Sequence, residues 1–230
     1  MVWPVVVGGF VVGLMVSVLL LGLMASLSPA TIVVFIVLLG TARARVNAIA
    51  FLIGWAISLT VVFAGGYAVG SAQAAQHDSS RLAVAIAEVL LGLVLIGVGA
   101  HAWWRRNTPR ERSAGARRLA DRLRDLTPGS AAVVGVIKQP WAITAAAAVA
   151  VVRHQPGPLG TLLAYACFTL VSTATVGLMF WYYTRRPGEA EARLSALHEQ
   201  MMQVGPAIFA IAGAAVGTFF VVDGLLSIPS

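Results

Sequence analysis

Long apolar segments separated by short polar stretches make up most of the chain. They cover residues 5–39, 48–70, 82–104, 131–152, 159–183 and 204–228. Each is long enough for a transmembrane helix, which needs about 20 apolar residues to cross the hydrocarbon core. None alternates apolar and polar residues over strand-length units, so a helical bundle is favoured over a barrel. The pattern predicts an all-α membrane protein with six transmembrane helices.

Prolines interrupt the first and the fourth of these segments. The first is too long for one straight span and is broken at Ser28-Pro29, and the fourth is broken at Gln139-Pro140. Three spans in each half is an odd number, so the halves would insert with opposite orientation. We therefore predict two inverted three-helix repeats, residues 1–104 and 129–230, with broken first and fourth helices. Proline is frequent in membrane helices, so matched breaks can also arise by coincidence.

The composition excludes a water-soluble enzyme, because 59% of the residues are hydrophobic and only 11% are charged. The net charge of +7 comes from arginines crowded into loops. With the N-terminus outside, 13 of the 16 Lys and Arg residues fall in cytoplasmic loops and two in outer loops. This positive-inside bias predicts a multi-pass protein of the inner (plasma) membrane with both termini outside. It also explains the charge without a nucleic-acid partner.

Eight of the arginines lie between residues 105 and 124. Residues 105–128 are predicted to be a cytoplasmic linker with an amphipathic helix at the membrane surface, held to anionic headgroups. A docking site for a partner protein is the alternative. The candidate contacts to anionic lipid are Arg110, Arg112, Arg117, Arg118, Arg122 and Arg124.

The two proline breaks are the candidate binding site. Serine can cap a helix through its hydroxyl and proline suits the first helical turn, so a half-helix is expected to begin at Ser28-Pro29. Gln139-Pro140 repeats this geometry from the opposite side. Converging helix N-termini suit a carboxylate, a phosphate or a sulfate. The predicted substrate-binding residues are Ser28, Pro29, Thr31, Lys138, Gln139 and Pro140. Other hydroxyl-bearing residues of the spans could contact a polar substrate, but most are expected to bond to their own helix or a neighbour. They are Ser17, Ser58, Thr60, Thr144, Thr169, Ser172, Thr173 and Thr175.

Lys138 and Glu88 are the ionisable residues placed well inside predicted spans. A cation within the membrane is costly and is a candidate functional residue. Lys138 could bind the substrate or an ion, form a structural ion pair with Glu88, or extend its amine to the interface. Glu88 could couple transport to protons or serve only as the counter-ion of Lys138.

Several kinds of chemistry lack the residues that they need. The four histidines are scattered, so no metal site is expected. The chain has no phosphate-binding loop, no assembled nucleophile with its base, and a single cysteine, Cys167. We therefore expect neither an enzyme nor a cofactor.

Two stretches resemble a known family: Ser26-Leu-Ser-Pro-Ala-Thr-Ile32, and the run from Arg45 to Trp55. They are similar to the Sap/GAP family of sulfolipid- and glycopeptidolipid-addressing proteins, within the LysE transporter superfamily. The basic loop before the fourth span and the Lys138-Gln-Pro140 break are similar too. The likeness covers the whole chain in layout and matches specific residues mainly in the first 60.

The resemblance implies a role in moving large glycolipids toward the cell envelope, beside an RND-type lipid transporter. The expected function is thus a transporter or flippase component for an amphipathic, anionic lipid or glycolipid. A proton-coupled exporter of a small solute such as an amino acid, and a non-catalytic adaptor for a larger lipid exporter, remain alternatives. Glycines on the predicted helices, including Gly92, Gly97, Gly99, Gly213 and Gly217, allow close packing within one chain or in a homodimer.

Overall fold

A computed structural model describes residues 3–74, 79–105 and 126–226. Within these ranges every regular element is an α-helix, as the apolar pattern predicts. The helices, in chain order, are α1 (Trp3–Ser26), α2 (Pro29–Leu39), α3 (Ala44–Ala74), α4 (Ser79–Arg105), α5 (Pro128–Lys138), α6 (Trp141–His154), α7 (Gly157–Arg185) and α8 (Pro187–Leu226).

The described residues contain up to five candidate membrane spans. Three are single helices: Ala44–Ala72, Gly157–Arg185 and Gln203–Leu226. Two more are bent pairs, Gly13–Ser26 with Pro29–Leu39 and Pro128–Lys138 with Trp141–His154. The remaining predicted span corresponds to α4, whose apolar stretch Val89–His101 is shorter.

Both proline breaks occur where the sequence places them. The axes change direction by 48° between α1 and α2 and by 56° between α5 and α6. Proline has no N–H to donate and disfavours helical geometry in the residue before it, so each helix ends just ahead of its proline. The 11 residues of α2 span roughly 16 Å, about half the thickness of a hydrocarbon core, so a membrane segment that ends with α2 would have its break well inside the bilayer.

The order of elements in the second half repeats that of the first half: a broken pair followed by two long helices. The packing follows the same correspondence. Helix α1 packs on α7 as α5 packs on α3, and α2 packs on α8 as α6 packs on α4. The most extensive contact joins α4 to α8.

Glycines make the α4–α8 contact and the α3–α5 contact possible. A Cβ added at Gly92 would lie 2.6 Å from the Gly217 carbonyl oxygen, and one at Gly99 would lie 2.9 Å from that of Ala210. Gly92 and Gly99 therefore pack closely against α8 of the same chain. Gly97 differs, because an added Cβ there meets nothing within 4 Å.

Large apolar side chains also cover much of the outer surface. Exposed examples come from most of the long helices and include Leu23, Ile57, Leu93, Leu170 and Ile211. In water such a surface would promote aggregation, whereas lipid tails solvate it. The exposed apolar surface therefore agrees with a membrane protein.

An ion pair joins the C-terminal ends of α6 and α8. Arg153 Nη1 donates to Asp223 Oδ2, and the two side chains are 24% and 35% exposed. Arg153 and Asp223 lie 70 positions apart, and no sequence pattern links them. The ion pair links the C-terminal end of α6, the second helix of the second broken pair, to α8.

Asp223→Asn should lower the free energy of unfolding by about 1 kcal/mol, since it leaves a half-buried arginine without its counter-ion. The matched control is Glu189→Gln, which affects the exposed pairs with Arg186 and Arg193 and should cost less than about 0.5 kcal/mol. Thermal midpoints in mild detergent measure both effects. Equal midpoints for the two variants would contradict a structural role for the Arg153 pair.

Candidate functional site

Thr31 connects the two breaks. Its hydroxyl is the donor in contacts of 3.2 Å to Ser28 Oγ and 3.2 Å to the carbonyl oxygen of Lys138. The side chain is only 2% exposed, so these contacts lie inside the bundle. The structure thus brings together two sites that lie 107 residues apart in the sequence. We call the contact of Thr31 with Ser28 and the Lys138 carbonyl the junction.

Ser28 does not act as the expected cap. It stands at the N-terminal boundary of α2, yet its side chain makes no hydrogen bond to the first backbone N–H groups. Its hydroxyl instead accepts from Thr31.

The contact through Thr31 also joins the N-terminal end of α2 to the C-terminal end of α5. Because these ends have opposite partial charges, the junction is less positive than two converging N-termini would be.

Gln139 is the buried polar side chain of the second break. It is 4% exposed, and its Nε2 donates to Thr144 Oγ1 in the first turn of α6. Its Oε1 is buried and has no hydrogen-bond partner among the described residues. A buried polar atom left in this state costs about 1–3 kcal/mol unless a ligand or water satisfies it. Gln139 therefore offers an unused hydrogen-bonding position beside the Thr31 junction.

Hydroxyl groups continue from the first break along the α1–α7 contact. Ser26 Oγ lies 2.7 Å from Thr175 Oγ1 and accepts from the Thr175 backbone N–H at 3.2 Å. Ser172 is 1% exposed and donates to the Thr169 carbonyl, while Thr169 Oγ1 is buried without a partner among the described residues. The sequence did not single out Ser26, because its depth in the first segment says nothing about which helix it faces.

Trp141 satisfies a carbonyl that the second proline leaves unpaired. Pro140 has no N–H to offer the Val136 carbonyl four residues earlier. Trp141 Nε1 donates to that carbonyl at 3.0 Å and to Ser58 Oγ at 3.1 Å, and Ser58 donates to the same carbonyl at 3.4 Å. Helix α3 therefore supports the break from the side.

The predicted charged residues lie away from this junction or outside the described part. The Lys138 side chain is exposed, and only its carbonyl oxygen joins the junction. Pro29 and Pro140 are half-buried at the two helix starts. Glu88 lies in α4, but its side chain is outside the described part of the structure. The linker arginines, Arg110, Arg112, Arg117, Arg118, Arg122 and Arg124, also lie outside the described residues.

The described residues offer neutral polar groups rather than a metal site. They contain no group of three or more His, Cys, Asp or Glu side chains that could hold an ion. The junction has hydroxyls, an amide and a helix N-terminus inside an apolar bundle. These groups can hydrogen-bond a hydrated or anionic headgroup that enters the membrane interior.

A family model described as SfLAP (Sap, sulfolipid-1-addressing protein) matches residues 18–226. The chain belongs to the Sap family. The match covers both breaks and confirms the family resemblance seen in the sequence. Searches of the curated proteins and of the solved structures find no match.

Proposed function

We propose that this Sap-family protein is a membrane transporter or flippase component, and not an enzyme. It moves an amphipathic, anionic lipid or glycolipid across the inner membrane toward the cell envelope. The observation that best supports the proposal is the buried junction of the two breaks, where Thr31 contacts the Lys138 carbonyl beside the half-satisfied Gln139. The description of the family names a sulfolipid, and a sulfolipid has the anionic headgroup and acyl chains of the proposed substrate.

Broken helices that meet at mid-membrane are typical of secondary transporters with inverted repeats. The repeated element order and the corresponding contacts between halves support two inverted three-helix repeats. Six spans would place both termini on the same side, and the excess of Lys and Arg in the opposite loops makes that side the outside. Rocking of one half against the other would expose the junction to each side in turn. We also propose an RND-type lipid transporter as a partner, which would take over the lipid after this protein has moved it.

The headgroup would contact Ser28, Thr31 and Gln139, since their polar atoms surround the junction. Gln139 can turn its amide to present either Oε1 or Nε2, so it can accept from a sugar hydroxyl or donate to a sulfate or phosphate oxygen. The acyl chains would stay in lipid against the exposed apolar faces.

Transbilayer movement of a labelled lipid tests this function. Purified protein is placed in phosphatidylcholine vesicles that contain nitrobenzoxadiazole-labelled phosphatidylglycerol, and dithionite bleaches the outer leaflet. We expect labelled lipid from the inner leaflet to become accessible at least about tenfold faster than in empty vesicles, with or without an imposed pH gradient. A rate equal to that of empty vesicles under both conditions would overturn the proposal. Uptake of labelled amino acids by the same vesicles would then indicate a small-solute exporter.

A further inference from the structure

An apolar groove follows the contact between α4 and α8, separate from the broken-helix junction. Its volume is about 300 Å³, and every residue that lines it is apolar. Gly99 and Ala210 lie where the two backbones approach, while Trp104 and Ile211 are largely exposed beside them. The groove is therefore narrow, open along one side and lined by aliphatic and aromatic groups.

The small residues keep the groove open. A Cβ at Gly99 would lie 2.9 Å from the Ala210 carbonyl oxygen. Any larger residue at position 99 would therefore clash with the α8 backbone, and the base of the groove stays without a side chain there. Ala100 and Ala214 are exposed and add only methyl groups. An empty apolar space of this size would forfeit dispersion contacts, so an apolar occupant is favoured.

The position of the groove indicates the depth of its occupant. Trp103 and Trp104 lie just before Arg105, the last residue of α4, and Ala210 lies seven residues after the start of the apolar span Gln203–Leu226. Tryptophan at a helix end is typical of the headgroup region of a bilayer. The groove thus begins at one membrane interface and extends toward the interior.

The charge that follows α4 indicates which lipid binds. Residues 105–124, which continue directly from the tryptophans, contain eight arginines against two acidic residues. Basic segments beside grooves between transmembrane helices favour anionic headgroups over zwitterionic ones.

We propose that the α4–α8 groove binds one acyl chain of an anionic phospholipid, with its headgroup beside the end of α4. This lipid is a bound component of the protein, distinct from the transported molecule. The inference does not depend on the proposed transport function.

Native mass spectrometry of protein extracted from mixed phosphatidylglycerol and phosphatidylcholine vesicles tests the site. Ala100→Phe fills the groove from an exposed position, and Ala214→Phe does so from the other helix. Ala64→Phe, at an exposed position on α3, is the matched control. We expect wild type and the control to retain one phosphatidylglycerol and each groove variant to retain about tenfold less.

Three results would overturn the site. They are equal retention by wild type and both groove variants, equal retention of phosphatidylcholine and phosphatidylglycerol by wild type, and a wild-type dimer that both groove variants dissociate. The last result would assign the groove to a second copy of the chain. Monodisperse elution and unchanged helical circular dichroism show that the variants remain folded.

Discussion

Gly54→Ala is expected to lower the free energy of unfolding by about 2–3 kcal/mol, although it adds a single methyl group. A Cβ at Gly54 would overlap the Ala132 carbonyl oxygen. Gly135 makes the reciprocal approach, and its added Cβ would overlap the Phe51 carbonyl oxygen. Backbone atoms cannot rotate aside, so α3 and α5 must separate and lose their packing.

Gly65→Ala provides the control on the same helix. An added Cβ at Gly65 meets nothing within 4 Å, so the only effect is the better helix propensity of alanine. This variant should be neutral or more stable by about 0.5 kcal/mol. In mild detergent, Gly54→Ala is therefore expected to lower the thermal midpoint, whereas Gly65→Ala leaves it unchanged or raises it slightly. Midpoints lowered equally by both would contradict the close α3–α5 contact.

Gln139→Leu should lower the rate of lipid movement at least about tenfold without destabilising the protein. The substitution removes the hydrogen-bonding group beside the junction while keeping a side chain of similar size. Because Gln139 Oε1 has no partner among the described residues, replacing the amide by an apolar group costs little stability and can increase it by about 1 kcal/mol. The hydroxyl of Thr144 can turn to the Pro140 carbonyl, which stands just before α6 and already accepts from the Thr144 backbone N–H.

Dithionite bleaching of labelled phosphatidylglycerol measures this rate, and thermal unfolding of the same preparations measures stability. Gln203→Leu, at an exposed position at the start of the last span, makes the same chemical change away from the junction. It should move lipid at the wild-type rate. A Gln139→Leu protein that is fully active would remove the amide from the binding site, and one that is inactive but unfolds easily would make it structural.

The helical class and both breaks could be predicted because their causes are local. A run of apolar residues of sufficient length must form hydrogen-bonded helix in lipid, and a proline ends a helix wherever it falls. The helix boundaries at Ser28-Pro29 and Gln139-Pro140 therefore follow from the nearest few residues. The number of spans does not follow from local causes in the same way: α4 has 27 residues, but its apolar stretch Val89–His101 is shorter than a full span.

The contacts of the site could not be predicted in the same way. Lys138 lies deep in a span by residue count, but the rotation of α5 leaves its side chain exposed and places only its carbonyl at the junction. Rotation depends on packing against α3, which Gly54 and Gly135 determine. The Arg153–Asp223 pair likewise joins residues 70 positions apart and has no local signal.

Cysteine labelling determines whether the junction of the two breaks is accessible from water and sensitive to lipid. With Cys167 replaced by serine, Ser28→Cys is exposed to a membrane-impermeant maleimide in phosphatidylcholine vesicles. Ala25→Cys, three residues away at a position that is 1% exposed, is the buried reference. We predict that Ser28→Cys reacts much faster than Ala25→Cys and that added short-chain phosphatidylglycerol slows its reaction about fivefold or more. Equal reaction of the two cysteines, or a Ser28→Cys rate that the anionic lipid does not change, would contradict the account.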